Sequence, residues 1–235
     1  MTSSDAQLCQ AKDNVHNLVY FPFHGLAGCI RTTLIVSGEP YKFTNMMLKE
    51  WATAKELTPF GHVPLLREET KCGKTLELAE INAIEQFLAK RAGLLGKDEW
   101  QECNVKMYLN STHSMISFLI HSIVPMPRED RPAFLAKFKA TNLPQWVKHH
   151  EKHLAANGSN GHYVGDQLTI ADIKTASVIE HVVRLCEDAP QVSEELTPAI
   201  WAVKTNLEKN PKYQEWRATE QYQQYTATNI GFFGF

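Results

Sequence analysis

Thr58-Pro59-Phe60-Gly61-His62-Val63-Pro64-Leu65-Leu66 is a loop running into a strand. Pro59 and Gly61 punctuate the loop, and Val63, Leu65 and Leu66 form the apolar, partly β-branched run of a buried strand. Pro64 does not fit a fully paired central position, because it has no N–H to give to a ladder. Spacing alone favours an ordinary loop proline. The other solution is a cis Val63–Pro64 bond that turns the chain just before the strand. That would leave the backbone groups of Val63 ready to grip an extended peptide as an added strand.

Working outward, Glu68 to Lys74 is charged, with Gly73 as turn residue, and reads as a hairpin connection to a further strand. Glu80 to Arg91 has Ile84, Phe87 and Leu88 at helical spacing. Upstream, Met46 to Glu56 reads as a polar loop or short helix carrying Trp51 and Lys55, and Tyr41-Lys42-Phe43 alternates like a strand. Leu26 to Ser37 places Leu26, Ile30, Leu34 and Ile35 at helical spacing before the stop Gly38-Glu39-Pro40. Asn17 to Phe21 is a short apolar strand, and Met1 to Val15 reads as a loose arm. The order is βαβ, then ββα, which predicts a thioredoxin-like α/β domain over residues 1–92.

Gly93-Leu94-Leu95-Gly96 marks a linker over residues 93–98, and residues 99–235 read as an all-helical domain. One long helix is expected over Glu99–Val124, and a second over Ala133–Ala156 with Pro144 as a kink or break. Thr169-Ile170-Ala171-Asp172 has the form of a capping box, flanked by Leu168 and Ile173 as a hydrophobic staple. Two shorter helices are expected near Ala199–Lys209 and Lys212–Tyr222, before a tail Ile230-Gly231-Phe232-Phe233-Gly234-Phe235.

Composition narrows the function. The chain has 235 residues, 43% hydrophobic and 21% charged, as expected of a folded globular protein with a sizeable core. A formal net charge of −2 gives no reason to expect nucleic acid. No apolar run approaches the roughly 18 residues of a membrane span, and Met1 to Asn17 lacks the apolar core of a signal peptide. Cys9, Cys29, Cys72, Cys103 and Cys186 are odd in number and without a CxxC pair, which fits reduced thiols in the cytoplasm. His149 and His153 share a helix face and could chelate weakly; a solvated face is the plainer reading, and no metal is expected.

Four blocks in order carry a family resemblance. Tyr20-Phe21-Pro22-Phe23-His24-Gly25-Leu26-Ala27-Gly28-Cys29-Ile30-Arg31 resembles the first strand–helix junction of Tyr-type cytosolic glutathione S-transferases. Trp51, Lys55 and Thr58 to Leu66 resemble the next block, in its sigma-type form. Leu78 to Leu88 followed by Gly93 to Gly96, and Gly165 to Asp172, resemble the third and fourth. The third block is similar to that of fungal members, some of which serve in secondary metabolism. The resemblance implies Tyr20 as the catalytic hydroxyl on the glutathione sulfur. A free thiol of pKa about 8.5 is mostly protonated at neutral pH, and a phenol donor stabilises its thiolate, the nucleophile. It further implies His62, Val63 and Pro64 as the clamp on the cysteinyl part, Trp51 and Lys55 around the glycine carboxylate, and Glu80 and Ile81 at the γ-glutamyl end. Glutathione is then co-substrate or recycled cofactor, and a homodimer is implied.

Three departures stand out. The family's Gln-Ser or Glu-Ser pair is here Glu80-Ile81, so a hydroxyl on the γ-glutamyl carboxylate is gone. Losing a hydrogen bond to a charged group costs about 1.5–3 kcal/mol, roughly tenfold to a hundredfold in affinity. The usual Arg-Gly-Arg-Ala-Glu is His24-Gly25-Leu26-Ala27-Gly28, and the acidic residue lent by a sigma-type partner falls near His113-Ser114 and is missing.

The resemblance places the electrophile between the first loop, the long helix and the C-terminus. Those segments offer Phe21 and Phe23, then Tyr108, Ser111, Thr112 and Met115, then Phe232, Phe233 and Phe235, a pocket suited to a bulky apolar electrophile. The tail is expected to close over it. A conjugating transferase is the leading reading. A glutathione-dependent double-bond isomerase on the same site is one alternative. A non-catalytic binding or crystallin-like protein of the same fold is the other.

Overall fold

A computed structural model describes residues 14–188 and 190–233. The amino-terminal arm and Phe235 therefore lie outside the described residues, except for Asn14 and Val15. Strand β1 (Val15–Tyr20) leads through a 3₁₀ turn (Gly25–Ala27) into helix α1 (Gly28–Ser37). Strand β2 (Tyr41–Asn45), helix α2 (Leu48–Ala54) and a second 3₁₀ turn (Lys55–Leu57) follow. Strands β3 (Leu65–Glu69) and β4 (Thr75–Ala79) form a hairpin, and helix α3 (Ile81–Arg91) closes this half. The sheet order is β2-β1-β3-β4, with β1 parallel to β2 and antiparallel to β3. Beyond it come α4 (Glu99–Ile123), α5 (Arg131–Ala140), α6 (Asn142–Ala156), α7 (Ile170–Leu185), α8 (Pro198–Glu208), α9 (Pro211–Arg217) and α10 (Glu220–Phe233). The fold is a thioredoxin-like sheet with helices, then a helical C-terminal domain.

Central position explains β1. Leu18, Val19 and Tyr20 are buried, and Val19 pairs with Leu65 across β3. The antiparallel register therefore carries Tyr20 alongside the Val63–Pro64 bond, which is cis. Helix α1 packs Ile30, Leu34 and Ile35 into one core that continues into α7, the most buried helix of the other half. Polar ties between the halves include the buried ion pair Lys174 Nζ–Glu85 Oε1 at 2.7 Å and the Ile170 N–H donating to Leu94 O. At the start of α7, Asp172 accepts from the Thr169 N–H and hydroxyl and from the Tyr163 N–H, as the capping pattern implied.

Three expectations need correction. The hairpin connection is shorter than Glu68–Lys74, because β3 runs on to Glu69. Glu68 is a buried strand residue, ion-paired to His16 and Arg91, so its charge was a misleading loop signal. The second long helix is two helices that break at Thr141; Pro144 sits in the first turn of α6, where a missing N–H costs nothing. The tail is helical: α10 runs through Gly231 to Phe233, and the helix expected to reach Tyr222 ends at Arg217.

Candidate functional site

Tyr20 ends β1, and its hydroxyl accepts the Leu26 N–H at 3.3 Å. The 3₁₀ turn brings this donor close. At Gly25 (φ +42°) an added Cβ would lie 2.9 Å from the Tyr20 hydroxyl and 2.8 Å from the Phe23 ring, so only glycine fits without a shift. Burial pushes the Tyr20 phenol up to about 12, although the Leu26 hydrogen bond and Arg31 pull the other way. The hydroxyl is thus a neutral donor at physiological pH. Arg31 is fully buried. It donates to Phe23 O at 2.6 Å and Phe21 O at 2.9 Å, and its guanidinium lies 4.4 Å from the Tyr225 ring centroid, which fixes the loop after β1.

Leu26 also lines an open cavity of about 200 Å³, with His62, Val63 and Pro64 on one side and Glu80, Ile81 and Asn82 on the other. All five residues expected at the clamp and the γ-glutamyl end share this cavity. Glu80 is one of two described non-glycine residues with positive φ (71°), a strained conformation that presents the N-terminus of α3 to the cavity. Sequence reading missed three lining residues: Asn82, His121 and, in this role, His113. Asn82 Oδ1 and His113 Nδ1 are buried without a hydrogen-bond partner among the described residues, a costly arrangement that a ligand would relieve. Burial lowers the His113 pKa to about 4, so it is neutral and does not replace the absent acidic charge.

Trp51 and Lys55 do not line this cavity. Trp51 meets Phe21 edge to face at 5.7 Å, and exposed Lys55 lies 3.9 Å from Glu56. The aromatic group assembles in part. Phe21 stacks on Phe23 at 5.6 Å and Phe23 on Phe232 at 5.1 Å, while Phe233 meets Phe23 edge-on. Tyr108, Ser111 and Thr112 are engaged elsewhere, inside the helical domain. Tyr108 stacks on Tyr163 at 4.6 Å, Ser111 Oγ lies 2.9 Å from His150 Nε2, and Thr112 meets Thr175 at 3.1 Å. Met115 is core. The resemblance pointed to this stretch of the long helix but could not say which neighbours its side chains meet. It is Ile116, a quarter turn away, that shares a small cavity with Gly25 and Leu26. His149 and His153 are exposed, and His150 is buried between Ser111 and Tyr163.

Helix α10 docks on the loop after β1. His24 Nε2 lies 3.0 Å from Thr226 Oγ1, Gly25 N–H donates to Asn229 Oδ1 at 3.0 Å, and Tyr225 donates to Asn45 Oδ1 at 2.7 Å. These contacts join residues some two hundred positions apart, and nothing in the local sequence signals them.

Residues 117–220 match the model of the glutathione S-transferase C-terminal domain. A probable glutathione S-transferase 8 of Caenorhabditis elegans is 27% identical over 223 residues, covering 89% of this chain and 98% of that relative. The chain is similar along most of its length to glutathione S-transferases. Glutathione transferase structures share its architecture: the Fasciola hepatica sigma-class protein superposes with a TM-score of 0.75 at 24% identity, over 89% of this chain and 99% of that one. Another relative, S-crystallin SL11 of Nototodarus sloanii, is 25% identical over 84% of this chain and 92% of its own. No helix among the described residues is long and apolar enough to cross a membrane.

Proposed function

We propose that this protein is a glutathione transferase in which Tyr20 donates a hydrogen bond to the glutathione sulfur. One observation carries the reading. The residue whose N–H donates to the Tyr20 hydroxyl, Leu26, also lines the cavity between Val63–Pro64 and the N-terminus of α3. Glutathione bound there as an extended strand against Val63 sets its cysteine sulfur beside that hydroxyl and its γ-glutamyl end at Ile81, Asn82 and Glu80. The α3 N–H groups face the γ-glutamyl carboxylate. Trp51 and Lys55 stand at the glycine end.

The chemistry follows from charge. The thiol proton leaves to solvent, and the thiolate is held by a phenol that remains protonated. The sulfur lone pair attacks an electrophilic carbon, a C–S bond forms, and the displaced pair leaves with a leaving group or takes up a proton at the neighbouring carbon. Phe21, Phe23, Phe232 and Phe233 form the wall for an apolar electrophile. A homodimer and a cytoplasmic setting belong to this reading as family traits. The isomerase alternative gains nothing from the relatives' names. The non-catalytic alternative draws on Ile81 and on the likeness to a crystallin.

Glutathione titration with the ultraviolet thiolate band, in the wild type and in Tyr20→Phe, separates these readings. The transferase reading expects binding with a band that weakens strongly in Tyr20→Phe. No binding at millimolar glutathione rejects it. Binding without a band in the wild type identifies a binding protein.

A further inference from the structure

The hydrogen bond from Leu26 to the Tyr20 hydroxyl does not stand by itself. It depends on a three-residue turn, Gly25–Ala27, that begins with a left-handed residue and has no side-chain cap. Such a turn has little internal stability. Arg31 holds the residues before the turn through the Phe21, Phe23 and His24 carbonyls, and the turn's own first N–H is held by Asn229, 1% exposed, near the far end of the chain: its Oδ1 accepts the Gly25 N–H at 3.0 Å. The N–H groups of Gly25 and Leu26 are consecutive, so one is held by Asn229 and the next is given to Tyr20. The Asn229 side chain is itself set by its other end, where Nδ2 lies 3.5 Å from His181 Nδ1 on α7.

We propose that Asn229 is a positioning residue for the Tyr20 hydroxyl, fixing the Gly25–Leu26 turn so that the Leu26 N–H occupies the hydroxyl's acceptor side. The consequence is electronic as well as geometric. A phenol that accepts one hydrogen bond is a stronger donor of its own, and its O–H is left to point at the sulfur. Gly25 takes part for a steric reason, since any side chain there would strike the hydroxyl and the Phe23 ring. The C-terminal helix thereby contributes to thiol activation as well as to the wall of the electrophile pocket. The inference rests on the glutathione reading above.

The test is the pH titration of the thiolate band of bound glutathione in wild type, Asn229→Ala and Thr226→Val. Thr226 docks the same helix through His24, one turn from Asn229, without touching Gly25. Asn229→Ala is expected to raise the apparent pKa of the bound thiol by about 0.5–1 unit with glutathione affinity within about twofold of wild type. Thr226→Val is expected to move it by less than about 0.2 unit. If Asn229→Ala does not fold, Asn229→Leu removes the acceptor while keeping the side chain's shape, and the same rise is expected. An unchanged thiol pKa in the Asn229 variant, or an equal rise in Thr226→Val, overturns the inference. A band that does not depend on Tyr20 sinks the underlying transferase reading, whereas a Tyr20-dependent band indifferent to Asn229 sinks this inference alone.

Discussion

The two ends of β1 treat buried polar groups in opposite ways. At its start, His16 is fully buried between Glu39 and Glu68, with Nδ1 2.6 Å from Glu68 Oε2 and Nε2 against Glu39. Arg91 reaches both carboxylates, at 2.6 Å and 3.1 Å. Arg91, joined by His16 when it is protonated, meets two carboxylates, and the charges compensate. At its end, beyond Tyr20, the cavity keeps a strained Glu80 backbone and buried atoms of Asn82 and His113 without partners. Buried charges that compensate one another hold a fold together. Buried polar atoms with neither a hydrogen bond nor an ion pair among the described residues mark the other end as open.

Removing one member of the closed cluster should hurt most. Arg91→Met leaves the buried Glu68 and the half-buried Glu39 facing one histidine and is expected to cost about 3 kcal/mol of stability by urea unfolding, because the Glu68 charge stays buried. Glutathione affinity should not change in this variant; a large affinity loss would mean that the two ends are coupled. At the other end the signs reverse. Tyr20→Phe should cost less stability, about 1 kcal/mol for the Leu26 N–H left without its acceptor, but reduce turnover about tenfold to a hundredfold at neutral pH, the value of one hydrogen bond to a charged sulfur. Steady-state kinetics with a chromogenic apolar electrophile reads this, and an undiminished rate would remove Tyr20 from the mechanism.

Ile81→Ser should tighten glutathione binding about tenfold, since a hydroxyl at the N-terminus of α3 meets the γ-glutamyl carboxylate. Calorimetric titration showing unchanged affinity would contradict the role assigned to that position. The smallest expected effect is a pH dependence of stability at the closed end. Burial lowers the His16 pKa, but the hydrogen bonds that its protonated ring donates to Glu68 and Glu39 outweigh it and raise the net value above 6.5. A raised folded-state value means that the stabilisation is complete below about pH 6.5 and is lost as pH rises through the folded pKa. Unfolding free energy should therefore decline on the alkaline side, and His16→Gln should flatten that decline. A decline of equal size in His16→Gln would assign it to other groups.

Local signals carried much of this molecule. The period-2 and period-3.6 patterns placed β1, β3, α1, α3 and α4 within a few residues, because each buries one face against a single core. Thr169 and Asp172 were readable as a helix start because the contacts span only three residues. His62, Val63, Pro64, Glu80 and Ile81 were readable as a group through the family pattern, and they line one cavity. Charge misled at Glu68, where the sequence shows an acid but not the histidine and arginine that neutralise it from two other elements. The resemblance assigns Tyr108, Ser111 and Thr112 to the pocket, although their partners, Tyr163, His150 and Thr175, claim them.

The amino-acid sequence by itself determined the order of elements, the split between sheet and helices, and the hydroxyl at Tyr20, since these depend on residue type and on neighbours a few positions away. Only the tertiary structure decided what surrounds that hydroxyl. The Leu26 N–H that it accepts comes from a turn held by Asn229, 204 residues from Gly25, and the His113 and Asn82 atoms left without partners come from two different helices. Such placements arise from packing of distant segments, and no local pattern encodes which distant side chain will arrive.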